Sequence, residues 1–177
     1  GEAYDKIGKL LGLEFPAGAE IDKLANHGNS HAINFPIAMR DRSLDFSYSG
    51  LKTSVANKIR LEPEWTTPEK LPDLLASFQQ SAIQAALEKV DLALQFYSVN
   101  SLAAAGGVAA NSKLRSGLAT IAAGFEIPLA VPALKYCADN AAMVGYVAHK
   151  QLQQKILIES FPVRPRWPLS ELGQVQS

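Results

Sequence analysis

The spacing of apolar residues divides the chain into helical and extended segments. In "GEAYDKIGKLLGL", Ala3, Ile7, Leu10 and Leu11 recur on one helical face, and Gly12 can end the helix. Ile21, Leu24 and Ala25 predict a short second helix ending near Gly28. "LDFSYSG" alternates Leu44, Phe46 and Tyr48 with Asp45, Ser47 and Ser49, the period of a half-buried strand. "INFPIAM" lies close enough in sequence to pair with it, which would make the sheet partly antiparallel. Leu51, Val55 and Ile59 predict a helix, and Pro68 could open the next one. Residues 72–97 carry the longest helical pattern, with Leu74, Leu75, Phe78, Ile83 and Leu87 among its apolar positions. "SLAAAGG" and "IPLAVP" read as short buried strands, and residues 111–124 and 138–158 as helices. Strands alternating with long helices give the α/β class, helix-rich with a mixed sheet.

Composition narrows this picture. An apolar share of 47% with 19% charged residues describes a globular chain, and 177 residues suffice for one domain with a core. Seventeen basic residues balance seventeen acidic ones, so net charge gives no argument for a nucleic-acid partner, although a local patch stays open. Cys137 is the only cysteine, so no internal disulfide forms and a reducing cytoplasm is the expected compartment. No apolar run reaches the ~18 residues of a membrane span, and no signal-peptide pattern is visible. The chain starts at Gly1 directly in a helical pattern, so a fragment or excised domain is expected.

Two strand-to-helix junctions carry candidate chemistry. In "AAAGGVAANSKLR", a short apolar run ends in Gly106 and Gly107, and Asn111 precedes a helix. Glycine lets a ligand approach the main chain, and the helix offers unpaired N–H groups to a phosphate. The same pattern fits a turn that needs glycine only for its geometry, with Asn111 as a helix cap or a ligand contact. It is not a dinucleotide fingerprint, since the third glycine is missing, and "SGLKT" at 49–53 lacks the first glycine of a phosphate-binding loop. In "YCADNAAM", Asp139 and Asn140 are good helix caps, and Asp139 is also a candidate metal ligand.

"GEAYDKIGKLLGL", "FPAGAEIDKLA", "FSYSGLKT", "AGGVAANSKLR" and "CADNAAM", in that order, resemble the C-terminal half of the TsaD family. These are the tRNA threonylcarbamoyladenosine transferases, formerly called O-sialoglycoprotein endopeptidases. The resemblance implies one lobe of the fold shared by actin, Hsp70 and the sugar kinases, with residues 1–158 as a nucleotide-binding lobe and 159–177 as an irregular tail. It implies transfer of threonylcarbamoyl from threonylcarbamoyl-AMP to the amine of the tRNA adenosine beside the anticodon. Asp5, Gly18, Asp22, Gly106, Gly107 and Asn111 match the family's nucleotide-binding positions, and Asp139 its metal aspartate. One divalent metal, iron or zinc, is implied, with its remaining ligands in the absent N-terminal lobe. Partners implied are tRNA, the family's smaller paralogue and an ATPase subunit. The isolated chain is therefore expected to be inactive.

This sequence departs from the resemblance in one loop, with Pro16, Ala17, Gly18 and Ala19 where the family usually has Pro-Gly-Gly-Pro. His27 and His31 have metal-ligand spacing, but Gly28, Asn29 and Ser30 disfavour the helix that would align them, so both read as loop residues. His149 reads as a packing or surface residue and Cys137 as a small buried one. Arg164, Arg166 and Trp167 in the tail could contact RNA or simply pack on the domain. A kinase lobe of the same superfold, or a non-catalytic partner module, are the alternatives.

Overall fold

A computed structural model describes residues 1–41 and 43–154. They fall into two compact units, residues 1–139 and a second beginning at Asn140. In the first unit four helices, α1 (Glu2–Leu10), α2 (Gly18–Ala25), α3 (Ser49–Leu61) and α4 (Leu71–Phe96), precede a strand, β1 (Leu102–Ala103). Helix α5 (Ser112–Gly124) and strand β2 (Leu129–Ala130) follow. The second unit contains α6 (Ala141–Gln153), capped by Asn140, whose side-chain oxygen accepts from the Met143 amide at 3.1 Å.

Helix α4 is the spine of the first unit. Pro72 stands in its first turn, where a missing N–H costs nothing, and no glycine interrupts its 26 residues. Its Leu74, Leu75 and Phe78 are fully buried with Ile7 of α1, Ile21 of α2 and Val55 of α3. The Phe78 ring packs edge-on against Tyr4, with centroids 5.0 Å apart. Gly8 of α1 lies directly under the Ala17 side chain, so a larger residue there would collide with the start of α2.

The strand expected at Leu44–Ser49 does not form. Residues 44–48 are irregular, Phe46 is 56% exposed, and α3 already begins at Ser49. Nor does "INFPIAM" pair with it, because its backbone is taken by side chains of α4. Ser77 Oγ accepts from the Ile33 amide at 3.1 Å, and Ser81 Oγ donates to the Phe35 carbonyl at 3.1 Å. Further along, the buried Lys89 ammonium donates to the Ser43 carbonyl at 2.6 Å and to Asp41. The segment is thus laced along one face of a helix, which satisfies its polar groups without a sheet.

The sheet among the described residues is the parallel pair β1–β2, with Leu102 opposite Leu129 and Ala103 opposite Ala130, and it has no antiparallel member. It is short, and Ala103 is exposed, so these strands are not the buried ones expected. Helix α5 lies between them in sequence, making a βαβ unit. Parallel strands joined by a helix confirm the α/β class. Pro68 opens no helix, and α4 starts three residues later. Residues 155–158 of the last predicted helix, the tail and its Arg164, Arg166 and Trp167 lie outside the described residues. No helix among the described residues is long and apolar enough to cross a membrane.

Phe78→Ala should lower the unfolding free energy by about 3–5 kcal/mol, since it removes a fully buried ring and leaves a cavity. Denaturant titration measures this, and a loss under about 1 kcal/mol would show that α4 is not the spine.

Candidate functional site

Both candidate loops leave the same end of the sheet. Gly106–Asn111 follows β1 and residues 131–139 follow β2, at the carboxyl ends of parallel strands. That is where βαβ units place ligands. Arg115 of α5 ties the two loops together. Its guanidinium donates to the Ala109 carbonyl at 2.6 Å, the Pro132 carbonyl at 2.6 Å and Cys137 Sγ at 3.2 Å. Cys137 is buried, as expected, and lies two residues before Asp139.

Asn111 is the N-cap of α5: its Oδ1 accepts from the Leu114 amide at 2.9 Å. Its Nδ2 does a second job, donating to Asp22 Oδ1 at 3.1 Å and to Gln79 Oε1 at 2.8 Å. Asp22 Oδ1 also accepts from Gln79 Nε2 at 3.0 Å and Ser112 Oγ at 2.9 Å, and Oδ2 from the Ser112 amide at 3.1 Å. One carboxylate thus collects four donors at the positive end of a helix. Oδ1 carries three of these donors and Oδ2 one, so the capacity left to accept a ligand hydroxyl is on Oδ2. Tyr4 completes the network by donating to Gln79 Oε1 at 3.2 Å. Burial first, and the Asp22 charge second, raise its phenol far above the usual value, so it stays a neutral donor.

Asp5 reaches the same region from α1. Its Oδ1 accepts from the Ala17 amide at 3.2 Å, immediately before Gly18 and one helical turn from Asp22. Ala17, the residue that departs from the family pattern, is 1% exposed and fills the space over Gly8. Gly106 has φ +87°, which other residues rarely adopt. Gly18 and Gly107 are different: neither has a positive φ, and a Cβ on either would meet no protein atom within 4 Å. The fold of the described residues therefore does not require them, and both leave backbone open to a visitor.

Asp22 and Asn111 are in direct contact, Asp5 and Gly18 meet through Ala17, and the glycine turn leads into Asn111. Asp139 is exposed, and its segment is linked to this group by the bonds from Arg115 to Pro132 and Cys137. It does not cap α6, a role Asn140 takes. His27, His31 and His149 are exposed, and His31 sits in a turn where its amide donates to Asn29 Oδ1 at 2.9 Å. No group of three or more His, Cys, Asp or Glu side chains converges among the described residues. Asp139 alone does not make a metal site.

Tyr4, Gln79, Ser112 and Arg115 were not among the expected site residues. Gln79 had a signal: it is a polar residue next to Phe78, on the apolar side of a long helix. Beside it, a solvent-open cleft of about 340 Å³ is lined by Asn26, Ser30, Gln79, Ser112 and Lys113. Burial lowers the Lys113 ammonium below the usual lysine range.

A family model described as "TsaD: tRNA N6-adenosine threonylcarbamoyltransferase" matches residues 1–146. The chain is similar to proteins of that name from Latilactobacillus sakei (45% identity over 162 residues, 90% of this chain and 47% of the relative). It is similar also to one from Geobacter metallireducens (42% over 174 residues, 97% and 51%). A third, from Pelobacter propionicus, is 40% identical over 179 residues, covering 100% of this chain and 53% of its own. The chain thus spans about half the length of the curated relatives it matches.

Gly107→Ala should leave stability within about 0.5 kcal/mol, whereas Gly106→Ala should lower it by about 1–3 kcal/mol for the forced backbone conformation. Thermal and denaturant unfolding compare the two, and equal losses would refute the distinction between them.

Proposed function

Because the chain belongs to the TsaD family of tRNA N6-adenosine threonylcarbamoyltransferases, we propose that it forms the adenylate-binding half of such an enzyme. On this reading it is one lobe of the actin, Hsp70 and sugar-kinase superfold. The reaction is transfer of threonylcarbamoyl from threonylcarbamoyl-AMP to the exocyclic amine of the tRNA adenosine beside the anticodon. The observation that carries this reading is the contact of Asp22 with Asn111 beyond the carboxyl end of β1, with Asp5 bonded to the Ala17 amide at the head of the same α2.

The roles follow from the chemistry of the groups. The carboxylates of Asp5 and Asp22 are acceptors suited to a ribose diol. The open backbone at Gly18 and Gly107 lets the nucleotide lie against the main chain. The substrate is a mixed anhydride and needs no protein nucleophile. The adenosine nitrogen bonds to the carbamoyl carbon, the bond from that carbon to the phosphate oxygen breaks, the amine loses a proton and AMP leaves. The residues of this chain hold the adenylate in place while the amine approaches. Asp139 is a candidate single ligand to iron or zinc only if other ligands come from outside the described residues, and no step is assigned to it. The 177 residues alone should not turn over. Partners are tRNA, the family's smaller paralogue and its ATPase, and a cytoplasmic location fits them.

Full-length protein should bind AMP, and Gly107→Ala should weaken that binding about tenfold or more by placing a methyl where the nucleotide lies. Isothermal calorimetry measures both. No AMP binding, or an unaltered affinity in Gly107→Ala, would reject the site.

A further inference from the structure

Resting on that nucleoside-site reading, we propose that Gln79 is a positioning residue whose neutral amide orients the Asp22 carboxylate and the Asn111 amide toward the ligand. Gln79 is 2% exposed in the middle of α4, with Leu75, Phe78 and Ala82 around it on the helix. A buried amide among such neighbours is costly unless every polar atom is bonded, and here every bond runs to the candidate site. Oε1 accepts from Tyr4 and from Asn111 at 2.8 Å, and Nε2 donates to Asp22 at 3.0 Å. The two ends of the amide thus do opposite things: one accepts from Asn111 and the other donates to Asp22. One end fixes which way Asn111 Nδ2 points. The other occupies Asp22 Oδ1 and leaves Oδ2 as the oxygen with capacity for a ribose hydroxyl.

A neutral group of this length with one donor and one acceptor end satisfies all three partners. An apolar side chain would leave Asn111, Tyr4 and Asp22 each short of a bond. A carboxylate would accept from Asn111 and Tyr4 but confront Asp22 with a like charge. The titratable groups around position 79 are Asp22 from α2, Tyr4 from α1 and Lys113 of α5, which lines the same cleft. Tyr4 stays neutral throughout. A carboxyl introduced at position 79 would be buried next to an anion, and both effects raise its pKa. Protonated, it can donate to Asp22 and accept from Asn111, reproducing the amide. Ionised, it cannot. The affinity of Gln79→Glu should therefore be near that of the unaltered protein at low pH and fall as pH rises.

The test measures AMP affinity by calorimetry in full-length unaltered protein, Gln79→Glu and Gln79→Met, each across the pH range. Dividing by the unaltered protein at the same pH cancels the titration of the AMP phosphate. Relative affinity of Gln79→Glu should drop about tenfold or more between about pH 5.5 and about pH 8.5, as a hydrogen bond to a charged group is lost. Gln79→Met, of similar size and without polar atoms, should be weakened about tenfold at every pH, and it carries the test alone if Gln79→Glu does not fold. Unchanged affinity in Gln79→Met, or a Gln79→Glu loss that ignores pH, would overturn the role of Gln79. Absence of AMP binding by the unaltered protein would instead remove the nucleoside reading beneath it.

Discussion

One carboxylate sets the arrangement of three helices. Asp22 projects from α2 and accepts from Gln79 of α4, from Asn111 and from the backbone and hydroxyl of Ser112 at the start of α5. A helix N-terminus carries unpaired N–H groups and a partial positive charge, so it draws an anion. Asp22 meets that demand from a different element, and in doing so fixes where α5 begins relative to α2. Without it, Gln79 Nε2 would lose its acceptor and Asn111 Nδ2 one of its two, while the Asn111–Gln79 bond would remain.

The consequence is a surface organised around the carboxyl ends of two parallel strands. β1 runs into the glycine turn, β2 into the segment that ends at Asp139, and Arg115 spans the gap with three bonds. The turn needs glycine at Gly106 for its positive φ, whereas Gly107 has neither a positive φ nor a close neighbour that requires glycine. Under the proposed function, a glycine that the fold of the described residues does not require is where an adenylate would lie.

The helices were legible in the sequence because their apolar spacing is regular: Ile7, Ile21, Val55 and Phe78 all face the core as the pattern predicts. The strand at Leu44–Ser49 was not, since alternation alone cannot reveal that the expected partner is already bonded to Ser77 and Ser81. The short β1 and β2 were found by their apolar runs, but their exposure depends on what covers them, which no local pattern encodes. Asp22 and Asn111 were found by resemblance, although their mutual hydrogen bond spans 89 positions. Arg115 escaped because a single polar residue on a helix looks like surface until the neighbouring elements are in place, whereas Gln79 stood on an apolar helix side whose partners only the fold supplies.

The central claim is that the Asp22–Asn111 cluster and the open glycine turn form one binding face for an adenosine monophosphate. A crystal structure of the full-length protein soaked with AMP tests it most directly. Ribose hydroxyls within hydrogen-bond distance of Asp5 or Asp22, with the nucleotide lying over Gly107, is the result this account predicts. AMP bound elsewhere, with the Gly107 backbone still open, would contradict it.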